Sequence, residues 1–185
     1  SLDSIDDGFV ITNPILTEAG FETGDKIITV DGQELETYSD LRKSIIGSTY
    51  YQVERDGNIF EIQLPVDFLG KLSSSEDMSS FEFRMPFIIQ SVSEESLNKD
   101  YDIRQGDRIV SVNGQEIKYV DQLVPLLEQN SNRTIEVELL RDSFRIKKTL
   151  NVNEDGKLGI MHGATVQNMV DLGLMKVSNN SYSFL

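Results

Sequence analysis

A twelve-residue segment occurs twice in this chain, with most of its positions unchanged. Residues 24–35 read GDKIITVDGQEL and residues 106–117 read GDRIVSVNGQEI, so the copies begin 82 residues apart and share seven identical positions. The other five pairs keep charge, size or turn chemistry. Self-similarity at a fixed spacing indicates a repeated structural unit. The 185 residues have room for two such units, each near the lower end of normal domain size.

Each copy predicts a strand followed by a tight turn. The apolar, β-branched runs KIITV and RIVSV are typical of buried strands. Asp31-Gly32 and Asn113-Gly114 follow them, and both pairs favour a hairpin turn whose two central residues have positive φ. The polar residues after each turn begin the return strand.

A Gly-Asp pair precedes each predicted strand. Gly24 and Gly106 are predicted at left-handed turn positions. Asp25 and Asp107 are predicted to accept hydrogen bonds from nearby backbone N–H groups and to fix the loop. A structural role is therefore favoured over a catalytic one for both acids.

A short helix is predicted after the first hairpin. Thr37 and Asp40 are spaced as in a capping box, and Leu41 and Ile45 fall on one face of the helix that follows.

The second copy predicts an equivalent helix. Leu123 and Leu127 take the corresponding positions, while Pro125 is expected to shorten or kink this helix.

A pair of strands closes each unit. Residues 50–66 alternate around Asp56-Gly57, and residues 133–152 alternate around Arg141-Asp142-Ser143. Between the units, the serine-rich segment KLSSSEDMSS predicts a loop or linker. The predicted fold class is α+β and β-rich, with two units in tandem.

The charge excludes some classes of partner. Seventeen Lys and Arg stand against 31 Asp and Glu, a formal net charge of −14 that disfavours nucleic acids and anionic lipid surfaces. The chain has no Cys and therefore no disulfide framework or thiolate metal site. No run approaches the roughly 20 apolar residues of a membrane span. The abrupt ends, SLD and SYSFL, lead us to expect an excised part of a longer protein.

The run PILTEAGFETGDKIITVDG, with its Pro, Ala-Gly-aliphatic, Gly-Asp and Asp-Gly elements, resembles bacterial PDZ domains. The resemblance covers most of the chain and implies two permuted PDZ domains in tandem. The implied segments are an N-terminal tail at 1–7, a first PDZ domain with its serine-rich linker at 8–80, a second PDZ domain at 81–165, and a C-terminal segment at 166–185 leading toward a membrane span in the parent protein.

PDZ domains bind extended peptides, often at a free C-terminus, in a groove between a strand edge and a helix. The resemblance implies that Leu158, Gly159 and Ile160 form the loop that receives the terminal carboxylate. It also implies that Leu123 and Leu127 line the second groove.

The same resemblance implies that Leu41 and Ile45 line the first groove. The first unit departs from the pattern, because its equivalent stretch, Phe81-Glu82-Phe83, contains no Gly. The first groove is accordingly either closed or open to internal segments. The second unit departs elsewhere, with Tyr101-Asp102-Ile103 in place of Ala19-Gly20-Phe21.

Two PDZ domains in tandem resemble the periplasmic region of RseP-like site-2 proteases, which are intramembrane zinc metalloproteases. The segments SSFEFRMPFIIQSVSEES, EDGKLGI and the closing YSFL carry this likeness. It implies a fragment without catalytic residues or cofactor of its own, in a parent enzyme that holds zinc. It also implies a location on the periplasmic face of the bacterial inner membrane.

The implied role is to bind or screen peptide segments of membrane-protein substrates of the anti-sigma-factor type. The chain lacks HExxH, GxSxG and phosphate-loop motifs, and its one histidine, His162, either faces a bound peptide or occupies an ordinary strand position. Two alternatives remain open. One is the PDZ pair of an HtrA-type serine protease, and the other is a peptide-binding scaffold without enzymatic activity.

Overall fold

The computed structural model describes residue 2, residues 5–77 and residues 79–176. The chain divides into two compact units. The first comprises the chain up to Arg84 together with the segment from Val170 onward, and the second comprises Met85–Met169. The closing YSFL, predicted to approach a membrane segment, lies outside the described residues.

The first unit combines a three-stranded antiparallel sheet, of order β2-β3-β4, with a separate two-stranded pair, β1-β5. Its elements are β1 (Phe9–Val10), α1 (Pro14–Ala19), β2 (Lys26–Val30), α2 (Tyr38–Ser44), β3 (Tyr50–Arg55), β4 (Asn58–Gln63), α3 (Phe68–Ser74) and β5 (Glu82–Phe83). β5 comes after the predicted boundary at residue 80, and it pairs with β1.

The second unit has a four-stranded sheet, of order β10-β9-β7-β8, and a two-stranded pair, β11-β6. Its elements are β6 (Ile89–Val92), β7 (Arg108–Val112), β8 (Gln115–Glu116), α4 (Val120–Gln129), β9 (Thr134–Arg141), β10 (Phe144–Asn151) and β11 (Ile160–His162). Helix α5 (Val166–Asp171) follows. The β-rich α+β class predicted from the sequence is confirmed.

The predicted turns form as the residues require. Asp31 and Gly32 have φ of 50° and 79°, and Asn113 and Gly114 have φ of 49° and 82°. Positive φ at both central positions matches the right-handed twist of the strands that each hairpin joins. Gly24 lies before β2 in the left-handed region, at φ 100°.

Each unit has its own apolar core. Leu41, Tyr51 and Phe81 are fully buried in the first, and Ile89, Val137 and Leu139 in the second. A one-residue change of strand register would turn the strand residues Tyr51, Val137 and Leu139 to solvent, so the cores fix the pairing.

One local prediction was wrong, and another was wrong in part. Residues 71–74 form the end of α3 instead of a loop, because Phe68 and Leu72 lie four residues apart and bury one helix face. Pro125 does not shorten α4, which has ten residues against seven in α2.

Candidate functional site

A cavity of about 460 Å³ lies between α4 and β11 in the second unit. Five residues predicted to bind peptide line it, namely Leu123, Leu127, Leu158, Gly159 and Ile160. Two come from one face of α4, and three come from the segment that leads into β11. The structure therefore brings these predicted residues together around one groove, which we call the α4–β11 groove.

Helix α4 presents an apolar face to this groove. Gln122 caps the start of the helix, since its side-chain oxygen accepts from the backbone N–H groups of Lys118 and Tyr119 at 2.8 and 3.1 Å. Leu123 and Leu127 are 1% and 7% exposed, so they contribute to the core as well as to the groove wall. Val124 is 44% exposed and forms the outer wall.

Strand β11 leaves backbone groups available along the groove. The N–H of Ser93 donates to the carbonyl of Gly159 at 2.9 Å, and Ile160 lies opposite Val92 in the β6–β11 pair. In an antiparallel pair, this pattern turns the N–H and C=O of Ile160 away from β6. Those two groups can therefore pair with an added strand.

The loop that precedes β11 has three consecutive carbonyls held on its far side. The Lys157 carbonyl accepts from the N–H of Asn153 at 2.9 Å, and the Gly159 carbonyl accepts from Ser93. Between them, the Leu158 carbonyl accepts from two side chains. Because C=O and N–H of a trans peptide point in opposite directions, the next three N–H groups point the other way.

These N–H groups, of Leu158, Gly159 and Ile160, form a concave set of donors of the kind that binds anions. Within the described chain, neither the N–H of Leu158 nor that of Gly159 donates to a protein acceptor.

His162 lies at the other end of the groove. Its ring stacks on Phe87, with centroids 4.4 Å apart and an interplanar angle of 28°. Burial lowers the pKa of His162 below its ordinary value. The lowered pKa favours the uncharged imidazole, which lines the groove on its Phe87 side while the residue stays exposed to solvent overall.

Three charged side chains line the loop end of the groove. Lys157 belongs to the loop before β11 whose carbonyls are held, Glu128 lies in the last turn of α4, and Asp155 precedes the loop. Among the described residues, none of the three forms an ion pair. This end of the groove thus has one excess negative charge that works against binding a carboxylate.

The corresponding face of the first unit is filled by aromatic side chains. Tyr38, the first residue of α2, packs its ring at a tilt against Phe83 of β5 with centroids 4.3 Å apart, and it stacks on Phe9 with centroids 5.9 Å apart. Its hydroxyl donates to the carbonyl of Phe81. These contacts join α2 to β5 directly and close the space that is open between α4 and β11.

Leu41 and Ile45, predicted to line the first groove, are buried in the core at 0% and 5% exposure. Their peptide-binding role stays a prediction, and the aromatic contacts of Tyr38 argue against it.

Sequence reasoning missed several groove residues. Val120 and Val124 line the groove from α4, and the helical spacing of four shared with Leu123 and Leu127 was the available signal for them. Ser96 and Asn98 hold the loop from behind. They lie in a polar stretch without periodicity, so no local signal identified them.

Zinc, implied for the parent enzyme, finds no matching donor set here. No group of three or more His, Asp or Glu in the described ranges is arranged to hold a metal ion. His162 packs on Phe87 without a second histidine, since the chain has one. Every described helix is also too short or too polar to cross a bilayer.

A family model of the PDZ domain matches residues 88–141. The match begins at β6 and ends with β9, so a PDZ domain lies within the second unit. Its range includes α4 but stops before β11 and the loop that precedes it.

Two curated relatives share a shorter stretch. Predicted zinc metalloproteases of Brucella suis biovar 1 and Brucella melitensis biotype 1 are each 36% identical over 50 residues, which is 25% of this chain. The chain spans only 13% of the length of each relative.

Among solved structures, the chain is similar to PDZ domains of SdrC-like proteins from two Listeria species. For Listeria innocua the TM-score is 0.38 at 15% identity, covering 43% of this chain and 96% of that one. For Listeria monocytogenes the TM-score is 0.36 at 13% identity, covering 49% and 97%.

Proposed function

We propose that the second unit binds extended peptide segments in the α4–β11 groove. The observation that carries the proposal is the coincidence of an available strand edge, an apolar cavity and three outward N–H groups at its end. A peptide added beside β11 gains main-chain hydrogen bonds, and its alternate side chains enter the cavity. A terminal carboxylate fits the N–H groups of Leu158, Gly159 and Ile160.

The first unit serves a different role in this proposal. Tyr38 and Phe83 fill the space where a peptide would lie, and the Phe81 carbonyl is already bonded. We therefore assign peptide binding to the second unit alone. The first unit is proposed to be a second PDZ domain that contributes structure rather than a receptor groove.

At the level of the whole protein, we propose a regulatory region of an RseP-like intramembrane zinc metalloprotease. The zinc metalloprotease relatives from Brucella support this parent, and the repeat of the Gly-Asp and Asn/Asp-Gly elements supports a tandem arrangement. The groove would screen membrane-protein substrates of the anti-sigma-factor type before they reach the zinc. The region would then lie at the periplasmic face of the inner membrane.

The binding proposal is tested with peptides displayed with free C-termini, followed by calorimetry with the selected sequences. Val124→Glu places a charge on the groove wall at an exposed position, so it is expected to reduce affinity by about tenfold or more without unfolding the unit. Phe144→Glu is the matched control, since Phe144 is 73% exposed on β10 and lies outside the groove. Equal affinities for the two variants would contradict the proposal.

The parent is tested by reading the full coding sequence and then by assaying proteolysis in membranes. An apolar segment with HExxH and a second one with an aspartate ligand are expected. Val124→Glu should then change the rate or selectivity of cleavage, whereas Phe144→Glu should not. A serine-protease domain upstream would instead assign the chain to an HtrA-type protein, and peptide binding would survive that outcome.

A further inference from the structure

We infer that Asn98, assisted by Ser96, is the positioning residue that turns the backbone N–H of Gly159 toward a bound carboxylate. The inference rests on the proposed peptide-binding function and adds to it a determinant of selectivity outside the groove. Neither side chain lies among the described groove walls on α4 or β11.

The contacts of the Leu158 carbonyl carry the argument. It accepts from Ser96 Oγ at 2.7 Å and from Asn98 Nδ2 at 3.0 Å. Two donors to one carbonyl oxygen fix the C=O direction, and the trans peptide then points the N–H of Gly159 in the opposite direction. Without these donors, the plane between Leu158 and Gly159 can rotate and remove the central donor of the set.

Asn98 is itself rigidly held. Its side chain is fully buried, its Nδ2 also donates to the carbonyl of Asn151 at 2.8 Å, and its Oδ1 accepts from the N–H of Asn151 at 2.7 Å. The loop is therefore tied to the end of β10 through one side chain. Because Asn151 continues the main sheet, the direction of the Gly159 N–H is set by the sheet and not by the loop alone.

Packing restrains only part of the loop, at Gly159, where an added Cβ would lie 2.6 Å from the Cβ of Ser96. A second cavity of about 200 Å³, bordered by Ser93, Ser96 and Asn153, lies behind the loop, so that side is only partly filled. Hydrogen bonds hold a peptide plane where packing leaves room, and a buried Asn that loses them pays a desolvation cost. These bonds are thus the restraint that a substitution can remove.

The first unit contains a comparable device. Asn13 is fully buried, and its Nδ2 donates to the carbonyls of Asp77 and Ser79 at 3.0 and 2.9 Å, in the segment that leads into β5. A buried Asn thus holds the chain ahead of the edge strand in both units. Only in the second unit does the adjoining groove stay open, so only there does the orientation serve a ligand.

The test compares N-acetyl-Ala-Val-Ala-Leu with its C-terminal amide on the whole chain. The wild type is expected to bind the acid about tenfold or more tightly, as for hydrogen bonds to a charged group. Asn98→Ala should bring the acid-to-amide ratio close to one, and Ser96→Ala should lower it by a smaller factor. Asn130→Ala is the matched control, because it removes one Asn-to-carbonyl bond, to Leu126, elsewhere in the unit.

A purely structural role for Asn98 would weaken acid and amide equally, and an unchanged ratio would overturn the inference. Residual dipolar couplings of the N–H groups of Leu158, Gly159 and Ile160 need no ligand. They should change for Gly159 in Asn98→Ala and, by a smaller amount, in Ser96→Ala, which keeps the Asn98 links to β10 and serves as the test if Asn98→Ala does not fold. Unchanged couplings would also overturn the inference. A wild type that binds acid and amide equally would contradict carboxylate capture itself, and the couplings alone would then decide the role of Asn98.

Discussion

Asp107 accepts two hydrogen bonds from Arg141, one from Nε and one from Nη2, each 2.8 Å long. Asp25 accepts the same pair from Arg55 at 2.7 and 2.8 Å. Each carboxylate also accepts a backbone N–H from three residues earlier. The Gly-Asp element therefore ties a loop to the end of the central hairpin strand in both units, which confirms its structural role.

Breaking this pair should destabilise the second unit. Asp107 is 1% exposed, so Asp107→Ala leaves the Arg141 guanidinium without its buried partner, and we expect a loss of about 3 kcal/mol. Arg145→Ala is the control, since its pairs with Glu116 and Glu138 are more exposed and should contribute less to stability. Urea unfolding measures both. A similar loss for the two variants would show that burial does not set the strength of the Asp107 pair.

The Asp107 pair also predicts how stability responds to acid. Burial alone would raise the pKa of Asp107, but the bonds from Arg141 and from the Arg104 N–H lower it overall. A lowered folded pKa contributes stability above the unfolded value near 4, and this contribution is lost as pH falls through the folded pKa. Between about pH 5 and pH 2, the free energy of unfolding should fall more steeply with pH in the wild type than in Asp107→Asn. Identical slopes of this free energy against pH would contradict the assignment.

The repeat made one half of this relationship predictable. Asp25 and Asp107 are visible because they recur at a fixed offset of 82 residues. Their arginine partners are 86 residues apart, so the repeat does not align them. The strand partners of Val30 and Val112, Tyr51 and Val137, are also 86 residues apart. The extra residues therefore come before these strands, where α4 has ten residues against seven in α2. The hairpin turns were predictable from residues that tolerate positive φ. Which arginine pairs with each aspartate depends instead on the length of the segment between the hairpin and the next strand.

The groove was likewise predictable in part. Leu123 and Leu127 follow from helical spacing, and Gly159 follows from the resemblance to PDZ domains. The closure of the first groove by Tyr38 and Phe83 could not be predicted from the sequence, since aromatic residues at these positions fit a core as well as a groove. Contacts such as that between Asn98 and Leu158 join residues 60 positions apart, and no local pattern reports them.

Gly159 should tolerate no side chain, for a reason located behind the loop. Its φ is 68°, and an added Cβ would lie 2.6 Å from the Cβ of Ser96. Gly159→Ala should therefore cost both left-handed strain of roughly 1 kcal/mol and a steric clash. Gly106→Ala isolates the strain, because φ there is 91° and nothing lies within 4 Å of the added atom. Gly159→Ala should have a clearly lower midpoint temperature of thermal unfolding than Gly106→Ala. The reverse order would refute the proposed clash.

Closing the second groove should reproduce the state of the first. Val120 is the first residue of α4 as Tyr38 is of α2, and His162 lies opposite β6 as Phe83 lies opposite β1. Val120→Tyr combined with His162→Phe should place two rings across the α4–β11 groove and reduce peptide affinity by about tenfold or more. Calorimetry with a selected peptide measures this. Retained affinity in a folded double variant would show that the aromatic pair is not what closes the first unit.

His162 should titrate below its ordinary range. Burial beside Phe87 lowers its pKa, so NMR of the imidazole should give a midpoint below about 6.5. Because the folded pKa is lowered, the uncharged ring is the stabilising form. That contribution is present above the unfolded pKa and is lost as pH falls through the folded value.

A peptide that covers the ring of His162 should lower the titration midpoint further, since it removes more water from the imidazolium. His162→Phe should abolish this part of the pH dependence of peptide binding. As the chain has one histidine, the signal is unambiguous, and a midpoint at or above 6.5 would contradict the stacked, desolvated ring.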